Sequence, residues 1–202
     1  MKLIILGIQG SGKGTQSKLI ADKFHLKHIS TGDLLRQETS SQSELGKEIS
    51  SYINPGHFVP DSLINQLLKL HLPKDNYLLD GYPRNLEQAK LLDNLNPPDK
   101  VLYVELSEQE VFSRLGERAE CKSCKIAYGL NNMPKVPGIC NSCNQPLDKR
   151  KDDTHESIKK RIELFNKETF PLLEFYSSKL IKINGEQSVE SVFQEILEKL
   201  KD

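Results

Sequence analysis

The sequence predicts an α/β fold in which a central parallel sheet of five strands is flanked by helices. Two observations carry this. Apolar runs of strand length recur at Lys2-Leu3-Ile4-Ile5-Leu6, Tyr77-Leu78-Leu79-Asp80 and Lys100-Val101-Leu102-Tyr103-Val104-Glu105, separated by stretches of helical periodicity; strands joined by helical crossovers lie parallel and are covered on both faces. The first run passes straight into Gly7-Ile8-Gln9-Gly10-Ser11-Gly12-Lys13-Gly14-Thr15, a glycine loop of the kind that links a strand to a helix. At 202 residues the chain suits one domain with insertions and a sizeable core.

The loop between the first strand and the helix of Gln16 to Phe24 is a phosphate cradle. Gly7, Gly10 and Gly12 allow conformations that turn consecutive N–H groups inward. The helix that starts near Lys13 presents unpaired N–H groups and a positive dipole end to the same anion. Lys13 brings a full charge to the terminal phosphates, and Thr15 a hydroxyl near the metal. The general pattern is G-x-x-x-x-G-K-[ST]; here Gly14 follows the lysine and Thr15 comes one place later.

Lys27-His28-Ile29-Ser30 is a short second strand, followed by Thr31-Gly32-Asp33-Leu34-Leu35-Arg36. Thr31 and Arg36 leave a strand end on the side of the glycine loop and suit a second anionic ligand, the arginine through its planar, two-pronged donor set. Read alone, they fit equally a helix capped by Asp33 with Arg36 in solvent. Ser43 to Asn54 and Asp61 to Leu72 read as helices around Asn54-Pro55-Gly56, with Pro60 placed to start the second. The third strand ends in Asp80, a position that fits magnesium held through water beside a glycine loop. After it Gly81 permits close backbone approach and Arg84 supplies another phosphate clamp. Gln88, four residues on, is expected to share a helical face with Arg84. Beyond the fourth strand, Ser107-Glu108-Gln109-Glu110 has the spacing of a capping box opening a helix toward Arg118.

All four cysteines form two C-x-x-C pairs, Cys121/Cys124 and Cys140/Cys143, fifteen residues apart. The arrangement signals a tetrahedral four-thiolate site, with zinc the expected occupant and iron chemically allowed. Four thiolates leave no open position, so the metal is expected to be structural. The intervening chain is turn-rich and nearly coreless and needs such a staple. A free-standing ribbon binding nucleic acid is the competing reading, but Lys122, Lys125 and Lys135 make only a modest basic patch with Tyr128 its only aromatic. Arg114, Arg118, Arg150 and Arg161 flank the segment. The helix from Thr154 onward is expected to kink or break at Pro171. Leu180-Ile181-Lys182-Ile183 is the last strand, and Asn184-Gly185 turns the chain into an amphipathic closing helix, Ser188 to Leu200.

Gly7 to Gln16 with Ser30-Thr31-Gly32-Asp33-Leu34-Leu35-Arg36, and then Asp80-Gly81-Tyr82-Pro83-Arg84, resemble the adenylate kinase family, and the resemblance spans essentially the whole chain. It implies a P-loop kinase fold of core residues 1–29, 60–116 and 154–202, a helical insertion at 30–59 that closes over a nucleoside monophosphate, and a zinc-bearing lid at 117–153. It implies ATP on Gly10, Ser11, Gly12, Lys13, Gly14 and Thr15, with Arg114, Arg118, Ala127, Tyr128 and the backbone near Gln187. It implies AMP at Thr31, Arg36, His57, Phe58, Val59, Gly81, Tyr82, Pro83, Arg84 and Gln88, the glutamine reading adenine, with Lys13, Arg84, Arg118, Arg150 and Arg161 converging on the phosphates and Asp152 and Asp153 orienting arginines. The implied reaction is reversible transfer from MgATP to AMP to give two ADP, with Mg2+ at Asp80 and Zn2+ on the four cysteines. The chain departs from the family pattern at Gln9, usually proline; at Glu117-Arg118-Ala119, usually glycine-arginine-arginine; and at Gly129, commonly histidine. A kinase for UMP or CMP is the nearest alternative.

Lysine plus arginine, 28, equals aspartate plus glutamate, 28, so no net field argues for a nucleic acid or membrane partner. No stretch approaches the roughly 18 apolar residues of a membrane helix, and the short apolar start leads into glycines without a cleavage site. A cytoplasmic monomer working on small nucleotides is expected.

Overall fold

The computed structural model describes residues 1–41, 43–53, 59–124, 126–149 and 153–201. Strand β1 (Lys2–Leu6) leads through the glycine loop into helix α1 (Lys13–Phe24), and β2 (Lys27–Ser30) runs directly into α2 (Thr31–Ser41). Helices α3 (Glu44–Ile53) and α4 (Asp61–His71) precede β3 (Tyr77–Asp80), α5 (Leu86–Leu95), β4 (Lys100–Glu105) and α6 (Glu108–Gly116). A small antiparallel sheet of β5 (Ala119–Cys121), β6 (Ala127–Tyr128) and β7 (Leu147–Lys149) follows, in the order β6-β5-β7. Then come α7 (His155–Leu164), α8 (Leu172–Phe175), β8 (Leu180–Asn184) and α9 (Val189–Lys199).

The main sheet has the order β2-β3-β1-β4-β8, every neighbouring pair parallel. Strand β1 shows why: its apolar run is buried on both faces. Leu3 and Ile5 pack with Ile20 and Ala21 of α1 and Val192 and Ile196 of α9, whereas Ile4 and Leu6 pack with Leu92 of α5, Leu172 of α8 and Ile64 and Leu68 of α4. Because β3 lies between β1 and β2, the loops after β1 and β3 emerge side by side at the sheet's carboxyl edge, where α/β sheets bind ligands. Three smaller clusters accompany these, one of them joining Ile8 of the glycine loop and Leu106 to Val111 and Leu115 of α6 and Ile158 and Ile162 of α7. Leu35, Ile49, Leu63 and Leu67 join α2, α3 and α4, and the four cysteines gather with Ile126, Tyr128 and Leu147.

The expected break near Pro171 takes a specific form. Helix α7 continues into a π-helical stretch, Phe165–Thr169, closed by Phe170 N donating to Phe165 O at 2.8 Å, before α8 begins. The chain has inserted a wide turn ahead of the proline rather than a simple kink. The capping box at Ser107 does not form. Ser107 makes no side-chain cap bond, its N–H reaches Glu186 Oε1 at 3.4 Å, and the Glu110 carboxylate takes Arg114 one turn on at 3.1 Å. A full opposite charge at i+4 outcompetes a backbone N–H for that carboxylate.

Candidate active site

The glycine loop opens α1 as expected. Gly12, the N-cap residue, has φ 88° and ψ 1°, a left-handed conformation that costs a side-chain-bearing residue about 1–2 kcal/mol. Thr15 and Gln16 N–H both return to Gly12 O, at 3.0 and 3.1 Å, so the first turn of α1 is already wound. Lys13 Nζ lies 3.5 Å from Ile8 O, folded over the loop, and Ser11 is buried beneath it. The buried Gln16 donates from Nε2 to Val189 O at 2.9 Å, which fixes α1 against α9.

Asp80, the last residue of β3, stands opposite Ile5 of β1 and Ser30 of β2. A Cβ at Gly14 would sit 3.5 Å from Asp80 Oδ2, so the carboxylate faces the start of α1 and suits a cation bound to loop phosphates. His28 Nε2 lies 3.8 Å from the same oxygen. Next to it, Gly81 has φ 80°, and a Cβ there would come within 2.9 Å of Thr31 Oγ1. The glycine lets the buried Thr31 hydroxyl donate to Gly81 O at 2.8 Å, tying the start of α2 to the turn after β3. Tyr82–Pro83 is a cis peptide bond.

Arg84 projects from this turn, its Nε donating to Gly81 O at 2.9 Å. The residue is exposed to solvent overall, with its guanidinium set among charges of the protein. Desolvation and the nearby positive charges of Arg161 and Arg36 work against its charge, while Asp80 and Asp61 offset them; a guanidinium stays ionised throughout. Arg84 and Gln88 meet differently from a shared helical face. Asn85 is the N-cap of α5, so Arg84 precedes the helix, and Gln88 folds back to accept from Arg84 N through Oε1 at 2.8 Å. Arg36 pairs with Asp33 Oδ1 in the first turn of α2. Burial alone would raise Asp33, but the Arg36 hydrogen bond and charge, helped by Ser30, hold its carboxyl below the usual range.

Two of the arginines flanking the cysteine segment meet, among the described residues, at one carboxylate. Asp153, its side chain 4% exposed, accepts from Arg118 Nε at 2.8 Å and Arg118 Nη2 at 2.7 Å, and from Arg161 Nη1 at 3.2 Å. This holds two guanidiniums from opposite ends of the segment side by side. Arg114 bonds Gly185 O at 2.9 Å, where β8 turns toward Gln187. Gln187 itself donates from Nε2 to Glu195 Oε2 at 2.6 Å, and its carbonyl accepts from Asn131 Nδ2 at 3.5 Å. His57, Phe58, Arg150 and Asp152 lie outside the described residues; Val59 packs against Leu35 and its cluster mates.

The four cysteine Sγ atoms lie within 4.8 Å of one another. Cys121–Cys143 and Cys124–Cys140 are 3.4 Å apart and Cys124–Cys143 3.7 Å. Zinc–sulfur bonds of about 2.3 Å in a tetrahedron put the sulfurs about 3.8 Å apart, so the donor set fits that ion in both size and chemistry. Tyr128 is buried beside it, its hydroxyl 3.4 Å from Cys140 Sγ and accepting from Asn141 N at 2.8 Å. The four thiols perturb one another in opposite directions: Cys140 is lowered, chiefly by the Tyr128 hydroxyl, whereas crowding by neighbouring thiols and burial push Cys143 and Cys124 up. The Tyr128 ring is taken up by the cysteine cluster.

A glycine loop and an arginine-bearing turn stand at adjacent strand ends, with an arginine pair nearby, an arrangement that suits phosphate-bearing ligands. The sequence matches the family described as Adenylate kinase over residues 5–181. The chain belongs to the adenylate kinase family. Similar curated adenylate kinases include that of Methanothrix thermoacetophila, 41% identical with 97% of this chain and 96% of the relative covered. That of Caldicellulosiruptor saccharolyticus is 38% identical with 99% of each covered, and that of Clostridium novyi 39% identical with 97% and 96% covered. For a member of this family, sequence reasoning passed over three side chains that touch the clamps. Asp61 stands in the first turn of α4, where a helix-dipole role would have sufficed. The hydroxyl of Thr169 donates to Arg84 O at 2.8 Å from the π-helical stretch, and His28 faces Asp80.

Proposed function

We propose that the chain catalyses the reaction of its family, reversible phosphoryl transfer from MgATP to AMP giving two ADP. The observation that carries this reading is the adjacency of two anion clamps. The loop of Gly10 to Thr15 faces Asp80, whose Oδ2 would lie 3.5 Å from a Cβ placed on Gly14, while Thr31, Gly81 and Arg84 are tied together in the turn just after β3. ATP is assigned to the loop with Lys13, Arg114, Arg118, the backbone of Ala127 and Tyr128, and the backbone at Gln187. AMP is assigned to Thr31, Arg36, Val59, Gly81, Tyr82, Pro83, Arg84 and Gln88, and His57 and Phe58 join it from the family pattern.

The acceptor phosphate is already an anion and needs no general base, so the work falls to positioning and charge neutralisation. Lys13 and Arg84 hold donor and acceptor phosphates, and Arg118, Arg161 and, from the family pattern, Arg150 close on the transferred group. Asp80 and the Thr15 hydroxyl are placed to hold magnesium, which when bound neutralises phosphate charge. The cysteines are assigned to a structural zinc that shapes the lid, residues 117–153. Closure of the lid and of residues 30–59 excludes the water that would otherwise take the phosphoryl group. Action as a cytoplasmic monomer is part of the same reading; the four cysteines are free of disulfides, which suits a reducing compartment.

The test is ADP formation from MgATP with AMP, UMP, CMP and GMP as acceptors, using chelator-treated and zinc-restored protein. Turnover with AMP in preference to the others is expected, with residual activity after zinc removal. Equal rates with UMP would favour the pyrimidine-nucleotide alternative, and no transfer to any acceptor would end the assignment.

A further inference from the structure

We propose that Asp61 fixes which way round the Gln88 amide sits, and thereby makes the acceptor site select a purine carrying a 6-amino group over one carrying a 6-oxo group. The inference rests on the reading that Gln88 meets the acceptor base.

Gln88 is 1% exposed, and both ends of its amide are engaged. Oε1 accepts from Arg84 N at 2.8 Å, and Nε2 donates to Asp61 Oδ1 at 2.6 Å. These partners admit one orientation only. A backbone N–H can do nothing but donate, and an ionised carboxylate nothing but accept. Turning the amide over would set its oxygen against the Asp61 carboxylate and its NH2 against the Arg84 N–H. The second oxygen of Asp61 is held in the same way. Asn85 Oδ1 accepts from Gln88 N at 2.9 Å to cap α5, which leaves Asn85 Nδ2 to donate to Asp61 Oδ2 at 2.7 Å. Asp61 is therefore gripped by two amide donors and cannot rotate away.

Beyond these two bonds the Gln88 amide keeps one lone pair on Oε1 and one N–H on Nε2, an acceptor and a donor in fixed order. Adenine presents an amino donor at N6 and an acceptor at N1, which complement that order. Hypoxanthine and guanine present an O6 acceptor and an N1–H donor, which oppose it. Asp61 lies immediately after the segment that resembles the family's closing flap, so it ties the base-reading amide to the start of α4. It acts through Gln88 and is a positioning residue.

The test compares AMP with IMP, which differ only along this edge. The ratio of kcat/KM for AMP to that for IMP is measured in the parent, Asp61→Asn, Asp61→Ser and Gln88→Ala, together with equilibrium binding of each monophosphate by calorimetry without ATP. Asp61→Asn can offer its own NH2 to a reversed Gln88. A hydrogen bond to a charged group is the discriminating interaction, so the AMP:IMP ratio is expected to fall about tenfold or more, in rate and in binding alike. KM for MgATP should not change. A loss of packing alone would weaken both monophosphates together and leave the ratio intact. Asp61→Ser carries the same test if Asp61→Asn folds poorly by urea unfolding. A ratio unchanged in both Asp61 variants but collapsed in Gln88→Ala would overturn the proposal while leaving Gln88 as the base reader. A ratio unchanged in Gln88→Ala would overturn the reading of Gln88 itself.

Discussion

Replacing Asp153 with alanine removes the carboxylate that, among the described residues, bridges Arg118 and Arg161, and the size of the effect follows from its surroundings. The carboxylate is 4% exposed and takes three charge-assisted bonds from two guanidiniums that are themselves 18% and 23% exposed. Breaking a fully buried ion pair costs about 3–5 kcal/mol, and solvent at the guanidiniums reduces this to about 2 kcal/mol. What is lost is the bridge between two like charges, so their spacing is less well set before substrate arrives. If that cost appears in the transition state, kcat falls about thirtyfold. The assay is ADP formation at saturating MgATP and AMP, with urea unfolding to separate a lost fold from lost positioning. Asp153→Asn should lose less, because its amide oxygen still accepts from one arginine. A kcat for Asp153→Ala within about twofold of the parent, the scatter of a neutral surface change, would refute the idea that Asp153 sets the arginine pair.

Lys13→Ala and Arg84→Ala should each lower kcat at least about a hundredfold, since one well-placed donor to a developing charge contributes about 3 kcal/mol or more; near-normal turnover in either would sink the assignment of the cradle. Stripping the metal should expose four titratable thiols and make the 119–149 segment sensitive to protease, while the urea midpoint of the core moves little. A single cooperative loss of both would mean that the metal holds the whole fold. The Asp33 carboxyl lies below its ordinary value of 3.8, so its pairing with Arg36 stabilises the protein above that pH and is lost as pH falls through the lower folded-state value. Asp33→Asn should therefore be slightly less stable near neutrality and lose less stability on acidification than the parent; parallel curves would show that the pair contributes nothing.

The main sheet was legible because its signals are local. A double-sided apolar run such as Lys2–Leu6 can only be an inner strand, and a glycine loop between strand and helix has few other uses. The cysteine cluster was legible for the same reason, from spacing alone. What stayed hidden depends on competition between partners that only folding brings together. Glu110 has the spacing of a cap, but Arg114 takes it. Gln88 looks like a helix-face neighbour of Arg84, but the cap at Asn85 starts the helix later and turns the pairing into a backbone bond. Asp153 stands in the sequence as one of two adjacent aspartates, and nothing local says that it will be the buried bridge. Asp61 and Thr169 act across separations of 27 and 85 residues, and a lone aspartate or threonine carries no periodic mark.

The wide turn at Phe165–Thr169 has a bearing on how this chain tolerates changes of length. A π-helical turn holds one more residue than the α-helical turn it replaces, and each residue of an α-helix advances about 100° around its axis. The wide turn absorbs that extra residue, so deleting one residue there should relax the stretch to ordinary α geometry while Ile158 and Ile162 keep their cluster and Arg161 keeps facing Asp153. A residue added to or removed from α7 itself would instead turn those side chains by about 100°. Natural length variation should therefore be tolerated at Phe165–Thr169 and avoided within His155–Leu164.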